Sequence, residues 1–237
     1  MNADDPRIII ALDYDNAIDA IKFVDSVMPS LCRLKVGKEL FVRTGPNFVL
    51  DLTKRGFDVF LDLKFNDIPN TVCSAVNAAA DMGVWMTDIH ASGGRRMMEE
   101  AKNTVMKKNS DMLLVAVTVL TSLDGRDLSE IGVYSSPEEQ VFRLAALAKE
   151  SGMDGVVSSA VEAAGLRKSC GDAFVLVTPG IRSASAKTDD QRRILTPEEA
   201  VINGSNYLVI GRPITRALDP VAALKLINDD ILSVICT

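Results

Sequence analysis

Eight times along the chain, a short apolar run gives way to a stretch of helical periodicity. The runs are Arg7–Leu12, Cys32–Val36, Val59–Lys64, Trp85–His90, Met112–Leu120, Asp154–Ser158, Ala173–Thr178 and Tyr207–Ile210. Unbroken apolar runs of this length suit strands covered on both faces. Between them the sequence predicts helices over about 16–27, 46–55, 69–82, 95–107, 136–151, 161–168, 196–203 and 220–232. Two of these open on Ser136-Pro137-Glu138-Glu139 and Thr196-Pro197-Glu198-Glu199, each a capping box with proline at the first helical position. Strict strand–helix alternation implies a parallel sheet. Eight units in 237 residues, without a linker or a change of composition, match a (β/α)8 barrel forming one domain over 1–237. A doubly wound open sheet is the alternative. It lacks support because no glycine-rich dinucleotide fingerprint follows the first run.

In a barrel of this kind chemistry belongs at the carboxyl ends of the strands. There stand Asp13, Lys35, Asp62 with Lys64, His90, Thr121, Ser158, Thr178 with Pro179, and Gly211-Arg212. Asp62 and Lys64 are two apart, so they face the same way along a strand. Asp67 follows just past the strand end, and Pro69 fits the first turn of the next helix. Charges grouped so closely are costly to desolvate unless they satisfy one another. A structural ion pair would explain one such strand end. Charged residues after the first, second and third strands together point to a site.

Gly211 permits close backbone approach to a ligand, and Arg212 offers a fork of donors. A glycine-arginine pair alone is more often a surface turn. After the eighth strand of a barrel it falls where phosphate is commonly held. The polar segment 182–193, with Arg182 and Gln191, reads as a loop able to close over a ligand.

Charge and cysteine usage narrow the partners. The formal net charge is 26 − 32 = −6, which argues against a general nucleic-acid or membrane-surface binder. A local basic pocket for a small anion remains compatible with it. The four cysteines form no C-x-x-C pair and read as free thiols of a reducing compartment. No apolar leader or bilayer-length run is present, so a cytoplasmic protein is expected. His90 is the one histidine, which excludes a histidine-rich metal site and leaves proton chemistry to Lys, Asp or Glu. His90 itself reads as a hydrogen-bonded structural residue or a second-rank site residue.

The ordered set of motifs resembles orotidine 5′-phosphate decarboxylases of the bacterial kind. It comprises Ala11-Leu12-Asp13, Lys35-Val36-Gly37, Asp62-x-Lys64-x-x-Asp67-Ile68-Pro69-x-Thr71, and His90-Ala91-Ser92-Gly93-Gly94. It continues with Leu120-Thr121-Ser122, Thr178-Pro179-Gly180-Ile181-Arg182 and Gly211-Arg212-Pro213-Ile214-Thr215. The resemblance implies a dimeric (β/α)8 barrel with active sites shared between subunits. It implies Lys64 as proton donor in a charged array of Lys35, Asp62, Lys64 and Asp67, the last supplied across the dimer. Asp13, Lys35, Ile68 and Thr71 would contact substrate near the ribose, and Thr121 the pyrimidine. Pro179, Arg182, Gln191, Gly211 and Arg212 would line the phosphate end. No metal or organic cofactor is implied. Asn66 departs from the pattern, since many relatives carry histidine there. Rival readings on the same barrel are a magnesium-dependent sugar-phosphate enzyme, a Schiff-base lysine enzyme, and a non-catalytic nucleotide-phosphate binder.

Overall fold

A computed structural model describes residues 5–181 and 195–235. Its eight strands close into one parallel barrel in chain order. They are β1 (Ile8–Ala11), β2 (Arg33–Gly37), β3 (Val59–Phe65), β4 (Met86–His90), β5 (Leu113–Val117), β6 (Gly155–Val157), β7 (Val175–Pro179) and β8 (Tyr207–Ile210). The helices are α1 (Ala17–Val24), α2 (Lys38–Thr44), α3 (Pro46–Lys54), α4 (Pro69–Asp81), α5 (Arg95–Lys107) and α6 (Gly125–Glu130). After them come α7 (Pro137–Glu150), α8 (Ala160–Cys170), α9 (Pro197–Ile202), α10 (Arg212–Thr215) and α11 (Pro220–Ile235). No helix among the described residues is long and apolar enough to cross a membrane.

Side-chain alternation divides the core into two bodies. Ile8, Ile10, Leu34, Val36, Val59 and Leu61 point outward and pack under the helices. Ile9, Ala11, Phe60, Met86, Val115, Val177 and Val209 point inward and fill the barrel. The inward rows continue toward the carboxyl ends as Lys35, Asp62, Lys64 and Asp88. At the opposite mouth, Arg33 lies 4.3 Å from the centroid of Trp85 and 4.9 Å from that of Tyr207. The two rings meet edge to face, 4.9 Å apart. Arg33 also bonds Asp58 at 3.1 Å, and Asp5 and the Pro6 carbonyl. Cation–π contact and ion pairing thus close that mouth.

The eight strands and the eight expected helices follow the predicted order. Both capping boxes form: Ser136 Oγ accepts from the Glu139 amide at 3.2 Å, and Thr196 Oγ1 from the Glu199 amide at 3.3 Å. Three short helices were not expected. α2 starts directly after Gly37, α6 is capped by Asp124 with Asp127, and α10 is a single turn. β5 ends at Val117 although the apolar run continues to Leu120. Its neighbour β6 stops at Val157, so beyond Thr118 there is no ladder partner. Val119 and Leu120 turn over the barrel mouth instead.

Gly155 of β6 stands opposite Val175 of β7. A Cβ there would lie 2.1 Å from the Val175 carbonyl oxygen. Gly155→Ala should therefore destabilise the barrel by roughly 1–3 kcal/mol. The check is a lowered urea midpoint with an unchanged m-value.

Candidate active site

The carboxyl ends of the strands surround a cavity of about 300 Å³, at the low end of the roughly 300–1,000 Å³ usual for small-molecule sites. One wall is charged: Asp13, Lys35, Asp62, Lys64 and Asp88. Another is apolar: Val117, Val119, Leu120, Val157 and Ile181. Thr121, Pro179, Gly180, Gly211 and Arg212 complete the rim.

The charged wall is a direct product of alternation. Leu34 and Val36 face the helices, so Lys35 faces inward, and the same holds for Asp62 between Leu61 and Leu63. Asp62 is the centre of the group. Its Oδ2 lies 3.0 Å from Lys35 Nζ, and its Oδ1 contacts Lys64 Nζ. Lys35 also reaches Asp13 at 3.6 Å, and Lys64 reaches Asp88 at 3.9 Å. A Cβ at Gly37 would stand 3.2 Å from Lys35 Nζ, so glycine there leaves room for the ammonium.

Burial works against the Asp62 carboxylate, but Lys35 and Lys64 outweigh it and hold that carboxyl well below its usual range. Burial likewise opposes the Lys35 ammonium, and the carboxylates of Asp62 and Asp13 outweigh it and hold Lys35 above its ordinary value. Asp88 is fully buried. Burial and then the adjacent Asp62 charge push its carboxyl well above the usual range. His90 is half-buried beside the array, and burial, Lys38 and Lys64 lower its imidazole, favouring the neutral form.

Lys64 has a positive φ of 53°. Holding a non-glycine residue there costs on the order of 1–3 kcal/mol, a strain typical of functional positions. Pairing of β3 with β4 is interrupted between Leu61 and Phe65, around this residue.

The expected residues fall into three groups. Asp13, Lys35, Asp62, Lys64, Thr121, Pro179, Gly211 and Arg212 share the cavity. Asp67, Ile68 and Thr71 are exposed and line no part of it. Asp67 Oδ1 accepts the Ile68 amide at 2.6 Å. Arg182 and Gln191 lie outside the described residues. Thr178 ends no inward row: it faces the helices, where its hydroxyl meets Ser205 at 2.8 Å. Ser158 borders the cavity with a buried hydroxyl that has no hydrogen-bond partner among the described residues. Asn66 packs against Gly93, where a Cβ would be 2.9 Å from its Oδ1.

Asp88 was not anticipated. Its signal lay in Met86-Thr87-Asp88-Ile89-His90: an acid inside an otherwise apolar strand, on the face shared with Met86. The apolar wall was equally hidden, because valines of a barrel strand look alike whether they fill the core or face a cavity.

The arrangement can hold an anionic ligand with a flat apolar body and supply an ammonium proton in a largely dehydrated place. A family model described as orotidine 5′-phosphate decarboxylase / HUMPS family matches residues 6–227. The orotidine 5′-phosphate decarboxylase of Actinobacillus pleuropneumoniae serotype 5b is 59% identical over 228 residues, covering 96% of this chain and 99% of that protein. That of Vibrio cholerae serotype O1 is 56% identical over 229 residues, again covering 96% and 99%. A crystal structure of the Lactobacillus acidophilus orotidine 5′-phosphate decarboxylase superposes with a TM-score of 0.85 at 39% identity, covering 96% of this chain and 99% of that one.

The Asp62 titration gives a pH test of the array. A carboxyl held low when folded contributes stability that is present above its unfolded value, about 3.9, and lost as pH falls through the folded one. The thermal midpoint of the wild type should exceed that of Asp62→Asn by a constant margin above about pH 5, and the margin should shrink below about pH 4. Calorimetry across that range checks it; a margin independent of pH would contradict the pairing.

Proposed function

Since the chain belongs to the orotidine 5′-phosphate decarboxylase / HUMPS family, we propose that it is a carboxy-lyase converting orotidine 5′-phosphate to uridine 5′-phosphate and carbon dioxide in pyrimidine nucleotide synthesis. The observation that carries the reading is the Lys35–Asp62–Lys64 chain of contacts, with Lys35 and Asp62 buried, beside an apolar wall in one cavity.

The C6–carboxylate bond breaks, carbon dioxide leaves, and the electron pair stays on C6. That pair lies in the ring plane and cannot spread into the π system. Stabilisation must therefore come from the protein. The Lys64 ammonium opposes the developing charge and then gives its proton to C6, forming the C6–H bond. Lys35 and Asp62 hold that ammonium in place, with Asp13 and Lys35 toward the ribose and Thr121 toward the pyrimidine. Arg182, Gln191, Pro179, Gly211 and Arg212 serve the phosphate end. Phosphate held far from C6 applies its binding energy to closure around the reacting atoms.

Magnitudes rank the effects. Asp62 beside the departing carboxylate, roughly 4 Å away at an effective dielectric near 20, repels it by about 4 kcal/mol. Enzymes lower barriers by about 8–23 kcal/mol. Preorganised stabilisation of the carbanion by Lys64 therefore leads, and ground-state repulsion is secondary. In this reading the positive charge comes from the two lysines, and no metal or organic cofactor is assigned a part.

Exposure of Asp67, Ile68 and Thr71 supports a homodimer in which these residues complete the neighbouring site. The partner subunit's Asp67 would be the fourth member of the array.

Lys64→Ala should lower kcat by roughly 10²–10⁴-fold or more, read as loss of orotate absorbance from orotidine 5′-phosphate; a variant keeping most of its turnover would remove Lys64 from the mechanism. Mixing inactive Lys64→Ala and Asp67→Ala chains should restore activity, because a mixed dimer holds one intact site. Absent recovery despite demonstrated subunit exchange would rule out shared sites. A chelator should leave the rate unchanged, whereas loss reversed by magnesium would favour a metal-dependent reaction.

A further inference from the structure

β3 and β4 part where the charged array begins. Leu61 pairs with Thr87, and pairing resumes only at Phe65 with Ile89. Asp62, Leu63 and Lys64 therefore stand opposite a single residue, Asp88. Such a bulge deprives backbone groups of their ladder partners, and a buried amide must find another acceptor. The Lys64 amide finds it in Asp88 Oδ1 at 2.8 Å. Lys64 sits there at φ 53°, a region that residues with a β-carbon seldom occupy.

Asp88 is fitted to this task. It is fully buried on an inward-facing row of β4. Its second oxygen lies 3.9 Å from Lys64 Nζ, while Asp62 makes the closer contact with that ammonium. Asp88 thus meets the Asp62 carboxyl side chain to side chain and holds the backbone amide of Lys64.

We propose that Asp88 is a positioning residue: its Oδ1 replaces the missing ladder bond, fixes the bulge, and so aims the Lys64 ammonium at the reacting carbon. This rests on the reading of Lys64 as proton donor. The task requires an acceptor rather than a charge. Burial, which raises the Asp88 carboxyl, agrees with that, since a neutral group at this place is tolerated.

The test compares Asp88→Ala with Asp88→Asn, which keeps an acceptor oxygen and drops the charge. Three quantities are read: kcat and KM for orotidine 5′-phosphate, affinity for uridine 5′-phosphate, and hydrogen exchange of the Lys64 amide by NMR. Asp88→Ala should lower kcat by about 100-fold while KM and product affinity move less than about threefold. Asp88→Asn should restore most of that loss. The Lys64 amide should be protected in the wild type and in Asp88→Asn, and exchange at least about tenfold faster in Asp88→Ala. Asp88→Ala retaining more than about a third of kcat, or Asp88→Asn falling as far as Asp88→Ala, would overturn the proposal. If Asp88→Ala does not fold, Asp88→Asn decides: a protected Lys64 amide with turnover near wild type supports the role, and an unprotected one overturns it. Should the wild type release no carbon dioxide from orotidine 5′-phosphate, the reading of the site fails. The exchange data, which need no substrate, still decide whether Asp88 holds Lys64.

Discussion

A carboxylate held between two ammonium groups at the mouth of a barrel is the contact on which the site depends. Asp62 is buried, and so is Lys35. Neither charge would be tolerable there alone. Removing one partner of such a set leaves an uncompensated charge, which is the costly outcome, whereas the intact set is roughly balanced against its own desolvation. The array is therefore a device for orientation more than a source of stability. It keeps positive charge fixed where water is scarce and electrostatic effects are strong.

The two ends of the barrel use charge differently. At the amino ends, Arg33 is stacked on Trp85 and Tyr207 and paired with Asp58 and Asp5, so every part of its guanidinium is engaged. At the carboxyl ends the charged groups border open space. Between them the inward rows are apolar, with Phe60 and Met86 filling the middle. The site also holds the local irregularity, the interrupted β3–β4 pairing and the positive φ of Lys64. A regular ladder would have turned Lys64 by the strand's own period alone. The bulge adds freedom in where the ammonium sits, and Asp88 takes up the amide that the bulge leaves.

Much of this was legible in the residue order. Period-two alternation inside unbroken apolar runs is enough to place Lys35, Asp62 and Lys64 on inward rows, because one face of each strand must meet helices. Capping boxes and prolines located helix starts at Pro137 and Pro197. What was not legible has local causes. The helix α2 begins without a side-chain cap after Gly37, so no start signal precedes it. Leu120 belongs by composition to a strand and by position to a loop, because strand length there is decided by β6 next door. Thr178 reads as a site residue until its neighbour Val177 is seen to take the inward place.

The sequence by itself determined the count and order of the strands, the face shared by Asp62 and Lys64, and the family. These follow from periodicity and from motifs carried within short stretches. Only the tertiary structure decided that Asp88 of β4 bonds the amide of Lys64 on β3, and that Asp67 and Thr71 leave the cavity although Asp62 and Lys64 line it. The physical reason is that both depend on register between strands and on the direction of the chain after a strand ends. Periodicity assigns a residue to a face; it cannot say which residue of a neighbouring strand stands opposite once the ladder is broken.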